Sequence, residues 1–276
     1  MIDLLLPLAM LAAQVGPDPS VDAFPGLPEE LRDRPARVEI NGYDLATCLR
    51  LTTSDPQRAL DMAQAWRESG TGDLDAAQSA HCLGLAMVKL GRLDEARRAF
   101  ELASAETPQD NLAYAARLAA MAGNAALADD DAQAALPLLD RAGGMALAAK
   151  DGPLAADLRV DLARVLVRDG RLDDAAEALK EAREADPMDA ESWLLSATLS
   201  RRMERLGEAQ AQIERAALLA PTDARIGLEA GVIAAMSGRE ADAMASFASV
   251  VQLAPGSKEA ERAQAYLEQL KGQRDE

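Results

Sequence analysis

Small, large and apolar residues recur along this chain in one repeated order. The first set, Gly91, Ala96, Phe100, Ala103 and Pro108, has offsets of five, four, three and five residues. The same offsets recur in three further sets: Gly170, Ala175, Leu179, Ala182, Pro187; Glu204, Ala209, Ile213, Ala216, Pro221; and Gly238, Ala243, Phe247, Val250, Pro255. The prolines of these later sets recur at one fixed interval, and a period of about 34 residues indicates stacked structural repeats rather than a closed globule.

Each repeat is predicted to be two helices joined by a tight turn. Gly91 suits a helix C-terminus, where the backbone takes a positive φ. Asp94 and Glu95 follow in the first turn of a second helix, where carboxylates interact favourably with the helix dipole. Phe100 fills the space between the two helices, and Pro108 cannot extend the second one. One such pair cannot bury its apolar face alone, so the units must stack.

The chain resembles the tetratricopeptide repeat (TPR) family over about residues 40–257. The resemblance rests on the small and large residues of each second helix, on the proline after it, and on a small residue near the end of each first helix. That last position holds Gly84, Ala163, Ala197 and Gly231. Trp193 stands where the family favours an aromatic residue, whereas the large aromatic residue later in the first helix is replaced by Met87, Leu166, Ser200 and Ala234. The resemblance implies an all-α, right-handed α-solenoid whose first helices line a concave groove.

We expect about five to six units and a C-terminal cap within residues 40–276. The units are about 40–73 (degenerate), 77–110, 111–155 (irregular), 156–189, 190–223 and 224–257, and residues 258–276 form a polar capping helix. The irregularity follows from the interval between Pro108 and Pro187, which equals two periods plus 11. The extra residues are predicted to lie before this unit, at 111–115, and after it, at 150–155, as part of a longer helix hairpin.

Residues 1–39 have a different pattern. Leu4–Ala13 is an apolar run too short to span a bilayer and about as long as the core of a secretory signal. Residues 1–13 are therefore predicted to be a signal peptide, and residues 14–39, with five prolines, a flexible linker. No positive charge precedes the run, so an apolar first helix or a start further upstream remains an alternative. Export would make the protein periplasmic or secreted in a bacterium; the alternative is a cytoplasmic protein.

Two cysteines, Cys48 and Cys82, lie one repeat period apart on the first helices of neighbouring units. Such helices pack side by side, so a disulfide between the two residues is one hypothesis, favoured by export. The alternative is that both are small buried apolar residues.

Composition argues against several classes of function. The net charge of −17 disfavours nucleic acid and direct binding to anionic membranes. Catalytic motifs are missing, and the one histidine, His81, is next to Cys82, which on a helix points about 100° away. Asp129, Asp130 and Asp131 lack the spaced ligands of a calcium loop, so solvation and helix capping explain them better. We therefore expect a non-enzymatic protein without metal or cofactor.

The most site-like feature is the face of the first helices that would line the groove. Its candidate residues are Arg117, Asn124, Val160, Arg164, Arg168, Leu194, Thr198, Arg201, Arg202 and Leu228. Arginine suits carboxylate recognition, because its planar guanidinium donates two parallel hydrogen bonds. The alternative is that these arginines pair with the many acidic residues nearby.

The sequence thus predicts an interaction scaffold that binds a peptide or protein segment in its groove, as an accessory factor of envelope assembly. The ligand is expected to be acidic or to end in a carboxylate, with apolar anchors on Leu194 and Leu228. The alternatives are a structural self-association module and a cytoplasmic adaptor, and the oligomeric state stays open.

Overall fold

The computed structural model describes residues 43–274, so the predicted signal peptide and linker lie outside the described residues. The described chain contains thirteen α-helices and no strand. They are α1 (Leu45–Ser54), α2 (Pro56–Ser69), α3 (Asp75–Lys89), α4 (Leu93–Glu106), α5 (Leu112–Ala128), α6 (Ala132–Ala148), α7 (Gly152–Arg168), α8 (Leu172–Ala185), α9 (Ala190–Arg202), α10 (Leu206–Leu219), α11 (Ala224–Met236), α12 (Glu240–Leu253) and α13 (Lys258–Arg274). A short 3₁₀ turn, Gln109–Asn111, precedes α5.

Each helix packs on the next one along the chain, which gives six hairpins followed by α13 among the described residues. First helices also touch those of the neighbouring unit, as α9 does with α7 and α11. The predicted all-α solenoid is confirmed by this arrangement.

The core of each hairpin is a large side chain on the second helix that faces a small residue on the first. Phe100 and Phe247 are 1% exposed and lie against Gly84 and Gly231. A Cβ atom added at Gly231 would come within 2.5 Å of the Phe247 ring, so this position excludes any larger residue unless the ring moves. Leu139 packs on Gly123 in the same way.

The middle of the array differs from the predicted irregular unit. Helices α5, α6 and α7 are each 17 residues long, whereas the regular hairpins from α8 to α12 use helices of 13 or 14 residues. The extra residues therefore lengthen three helices, and the stretches 112–115 and 152–155 form the first turns of α5 and α7. The longer helix hairpin that the sequence favoured is present, but its extra length extends into α7.

The turns explain why no proline separates α6 from α7. At Gly170 φ is 78°, and the Arg171 N–H donates to the Leu166 carbonyl at 2.9 Å, which closes the end of α7. Lys150 takes the same left-handed conformation at φ 58°, and the Asp151 N–H donates to Ala146 in the same way. The joint between α6 and α7 thus has the turn that elsewhere joins the two helices of one hairpin.

Aspartates begin many of the helices. Asp131 caps α6 through its carboxylate, which accepts from the Ala134 N–H at 3.0 Å, and Asp151 caps α7 in the same way. At the other end of the array, α13 covers α12, and Tyr266 stacks on Phe247 with ring centroids 5.1 Å apart.

Candidate functional site

Most of the predicted groove arginines are already paired with carboxylates. Arg117 Nη2 lies 3.6 Å from Asp151, and Arg201 binds both oxygens of Glu229 at 2.6 and 3.3 Å. Arg164 lies 2.8 Å from Asp161 on its own helix. These three arginines are thus paired with nearby acidic residues, which is the alternative drawn from the sequence.

Glu191 connects three first helices. One of its oxygens accepts from Arg164 of α7 at 3.1 Å, and the other accepts from Arg225 of α11 at 2.8 Å. Because Glu191 lies in the first turn of α9, these contacts place α7, α9 and α11 on one shared face, called here the groove surface. Hydrogen bonds with Asp223 and Glu191 raise the pKa of Arg225, and the same Arg225 contact lowers the pKa of Asp223.

Two arginines of the groove surface have no such partner. Arg168 and Arg202 are both exposed, and neither makes an ion pair or hydrogen bond with any residue between 43 and 272. They are one repeat period apart and so occupy equivalent positions at the ends of α7 and α9. Two free guanidinium groups therefore face solvent at matching positions of consecutive units.

An apolar cavity of about 180 Å³ opens between α7 and α9, with Arg202 in its wall. It is called here the inner cavity, and it is lined by Val160, Ala163, Arg164, Val167, Leu179, Leu195, Thr198, Leu199 and Arg202. A second hollow of about 270 Å³ lies between α5 and α7, where Asn124 and Leu127 face Asp161, Arg164 and Arg168. Arg164 borders both, so the two cavities are neighbours on one surface.

The remaining predicted groove residues have different positions. Leu194 is 6% exposed and packs with Ala197 and Ile213, so it offers little surface for the apolar anchor that the sequence predicted. Val160 is also buried, at 3% exposure, although it forms part of the inner cavity wall. Thr198 is half-buried and donates its hydroxyl to the Leu194 carbonyl. Leu228 is half-buried against the α12 and α13 cluster. The accessible apolar lining thus comes from Val167 and Leu195 instead.

One acidic residue near this surface makes no ion pair with any described residue. Burial raises the pKa of the Asp157 carboxyl, and the neighbouring charges of Asp189 and Asp161 raise it further, while Arg164 offsets only part of this effect. A cation close to Asp157 is therefore more favourable than another anion.

The structure joins Cys48 and Cys82 by a disulfide, with Cα atoms 5.9 Å apart, which links α1 to α3. His81, next to it, forms a 2.9 Å hydrogen bond between Nδ1 and the Tyr114 hydroxyl of α5. Burial lowers the pKa of His81 to about 4, so the ring is neutral at physiological pH. With its sulfur in the disulfide, Cys82 offers no thiolate to the neighbouring ring.

Sequence reasoning missed a buried arginine on the other side of α7. Arg159 is 7% exposed and contacts Asp140 and Glu181 from α6 and α8. The only hint in the sequence was a glycine pair, at 143 and 144, inside a predicted helix, since Gly143 leaves room for the guanidinium of Arg159.

Between residues 43 and 272, no group of three or more acidic, histidine or cysteine side chains is arranged to hold a metal ion. Nor is any helix of the described part both long and apolar enough to cross a bilayer.

Comparison with known proteins agrees with the helix arrangement. Two sequence models of the tetratricopeptide repeat match the chain, at residues 126–199 and 194–258. No curated protein sequence matches it.

Several solved structures are similar. Pseudomonas aeruginosa pilF has a TM-score of 0.55 and 17% identity, covering 80% of this chain and 95% of its own. YrrB, described as a TPR protein with an unusual peptide-binding site, has a TM-score of 0.53 and 21% identity, covering 73% and 96%. MamA from Desulfovibrio magneticus RS-1 has a TM-score of 0.52 and 18% identity, covering 67% and 98%. The two sequence matches span residues 126–258, and together with the repeat register and the stacked hairpins they show that the described helices form a tetratricopeptide repeat solenoid.

Proposed function

We propose that this protein is a non-enzymatic scaffold that binds an acidic protein or peptide segment on its groove surface. The observation that carries the proposal is the pair of unpartnered arginines, Arg202 in the wall of the apolar inner cavity and Arg168 in the wall of the neighbouring hollow. TPR folds are generally interaction modules, and peptide binding has been described for the structurally similar YrrB.

The free arginines favour carboxylates as the polar part of the ligand. A guanidinium donates two parallel hydrogen bonds to a carboxylate, and it keeps its charge at every physiological pH. Arg164, Arg201 and Arg225 already have carboxylate partners, so binding through them would first require breaking an existing ion pair.

The spacing of the two arginines suggests how the ligand lies. Packed helices are roughly 8–10 Å apart, so side chains at equivalent positions of α7 and α9 are separated by a similar distance. A peptide in the polyproline II conformation rises about 3.1 Å per residue with three residues per turn, so carboxylates three residues apart would lie on one face about 9 Å apart and match this distance. The inner cavity lies between the same two helices, and it would receive an apolar side chain between the two acidic groups.

A dye-labelled nonapeptide of glutamate, leucine and alanine, with a free C-terminal carboxylate, tests this proposal by fluorescence anisotropy. Replacing Arg168 and Arg202 by Gln is expected to weaken its binding about ten-fold or more, because two charge-assisted contacts are lost. A C-terminally amidated peptide separates recognition of the terminus from recognition of the side chains.

The matched control removes the same charge elsewhere. Arg98 of α4 and Arg215 of α10 lie outside the groove surface, and changing both to Gln should alter affinity by less than about two-fold. Equal losses in both double variants would reject the proposed site, and a glutamine version of the peptide that binds equally well would reject its acidic ligand.

For location, we propose export to the bacterial envelope, where the scaffold would serve assembly. This proposal depends on the apolar run Leu4–Ala13 and on two cysteines placed to form a disulfide. Intact-mass measurement of protein from its own host should show removal of about the first 13 residues, and a full-length cytoplasmic product would reject export.

A further inference from the structure

A third cavity lies on the other side of α7, between α6 and α8. It measures about 410 Å³ and is called here the outer cavity. Arg159, in its wall, precedes Arg168 of the groove surface by nine residues, which is two and a half helical turns, so the two arginines project from opposite faces of α7. The outer cavity is therefore separate from the proposed peptide site.

The floor of the outer cavity is apolar. Leu136, Leu162, Leu166 and Ala178 line it, and each of them is at least nine-tenths buried. Leu166 occupies the position at which the family has a large aromatic residue, so a smaller side chain leaves this space open. Pro137, inside α6 and exposed at the rim, has no N–H to donate to the preceding turn of the helix.

One wall of the outer cavity contains a buried arginine that lies between two carboxylates. The side chain of Arg159 is only 9% exposed, and its guanidinium binds Asp140 through Nη1. Its Nε lies 2.6 Å from Glu181 Oε2 but makes no hydrogen bond, because the carboxylate is off the N–H direction. A Cβ at Gly143 would lie 2.8 Å from the same nitrogen, so the glycine makes room for this side chain.

Glu181 consequently has hydrogen-bonding capacity that no described residue uses. Its side chain is 36% exposed, it lines the outer cavity, and it accepts no hydrogen bond from residues 43 to 272. An ionised carboxylate accepts several hydrogen bonds and has none to donate, so the group that would satisfy it is a donor.

The charges that line the outer cavity also favour a cationic hydrogen-bond donor as the ligand. Four carboxylates line the outer cavity against two arginines: Asp140, Asp174, Glu177 and Glu181 against Arg159 and Arg171. Asp140 and Glu181 share the single charge of Arg159, whereas Asp174 meets Arg171 and Glu177 meets Lys180 outside the lining, each at 2.7 Å. The pair around Arg159 therefore keeps one uncompensated negative charge. A further cation would reduce the repulsion among these carboxylates, whereas an anion would increase it.

We propose that the outer cavity is a docking site for a basic segment of a partner protein, which inserts a lysine or arginine side chain. These side chains combine an aliphatic stem with a charged donor group, so the stem would cover the leucine floor while the charge reaches Glu181. The site would let one protein hold an acidic segment on one face of α7 and a basic segment on the other.

A dye-labelled nonapeptide of alternating lysine and alanine tests the proposal by anisotropy at physiological salt. The variant changes Asp174 to Asn and Glu177 to Gln, which are exposed at the mouth and do not support the buried Arg159. Its binding should be about five-fold weaker, as expected for the loss of two partly solvated charges that attract the peptide. The acidic nonapeptide should bind this variant as it binds the wild type, because it uses the groove surface.

The matched control changes Glu214 to Gln and Asp242 to Asn, which removes the same charge from α10 and α12 outside the outer cavity. Its affinity for the lysine peptide should stay within about two-fold of wild type. An equal loss in both variants would show general attraction to an acidic protein and would overturn the proposal. Spermidine that binds as tightly as the peptide would also overturn it, since the ligand would then be a small cation.

Discussion

The middle of the array, α5 to α7, and the regular repeats that follow it, α8 to α12, form the same kind of stack with different joints. In the regular repeats each hairpin ends at a proline, and an aspartate or serine two residues later caps the next helix, as Pro187 and Asp189 do. In the middle, Lys150 makes a left-handed turn and Asp151 caps α7, without a proline. Equivalent packing therefore does not require the motif by which the repeats are recognised.

The difference between the joints has a consequence for the surface. Longer helices and the tight joint accompany the outer cavity of about 410 Å³, with its buried Arg159, whereas the corresponding hollow between α8 and α10 is about 220 Å³. The comparison teaches that the register of small and large residues determines the core, while helix length and turn type determine where cavities open.

The largest effect should come from breaking the disulfide. This experiment tests whether α5 to α7 stay folded when the units before them lose stability. Reducing Cys48–Cys82 reopens a loop of 34 residues and should cost the N-terminal units about 2–4 kcal/mol. Because repeat arrays unfold locally, hydrogen exchange should accelerate in α1 to α3 and stay unchanged in α5 to α7. The same reductant should have no effect on a variant with Ala at both cysteines. Faster exchange throughout the chain would mean that the middle depends on the disulfide.

The next largest difference between the two regions should appear when a glycine that faces a large side chain is replaced by alanine. Gly231→Ala places a methyl group against the rigid Phe247 ring and should lower the free energy of unfolding by about 1–3 kcal/mol. Gly123→Ala meets the more adaptable Leu139, and the loss should be less than about 1 kcal/mol, since alanine also favours the helix. Gly144→Ala is the control, because nothing lies within 4 Å of its Cβ. Urea denaturation measures all three, and equal losses at 123 and 231 would contradict the contrast.

The contact between α3 and α5, where His81 meets Tyr114, should make the stability of the protein depend on pH. Burial lowers the pKa of His81 from 6.5 to about 4, so between these values the unfolded chain binds a proton that the folded chain does not. Stability should therefore fall as pH decreases from 6.5 to 4, by up to about 1.4 kcal/mol per pH unit, and this histidine adds no further loss below pH 4. His81→Gln should flatten that part of the curve, because the chain has no other histidine. Parallel curves for the two proteins, measured by thermal melting, would show that His81 is accessible to protons in the folded state.

The smallest effects concern the turns themselves. Lys150→Gly should stabilise the middle joint by about 0.5–1 kcal/mol, because a non-glycine residue at φ 58° is strained. Gly238→Ala, at φ 71° in a regular hairpin, should destabilise the protein by about 1 kcal/mol for the same reason. Urea denaturation measures both. A destabilising Lys150→Gly would mean that the lysine side chain contributes more to the joint than its backbone conformation costs.

The sequence alone was sufficient for the helix hairpins and their cores. Fixed offsets between Gly91, Ala96 and Phe100 reveal which side chains face each other, because hairpin packing is local and repeats at one period. It also brought Cys48 and Cys82 to adjacent helices, since they are one period apart. These inferences need only helical geometry and the size of side chains.

The tertiary structure alone decided which charges are free. Arg164 and Arg168 are equally good groove candidates in the sequence, yet Arg164 meets Glu191 of the next unit and Arg168 meets no carboxylate among the described residues. Two adjacent leucines cannot be told apart by composition either: Leu194 is core, whereas Leu195 lines the inner cavity. The burial of Arg159 could not be predicted from the sequence either, because its partners come from two other helices. Ion pairs and cavities depend on distances of a few ångströms between units, and a repeat period sets the order of the units but not those distances.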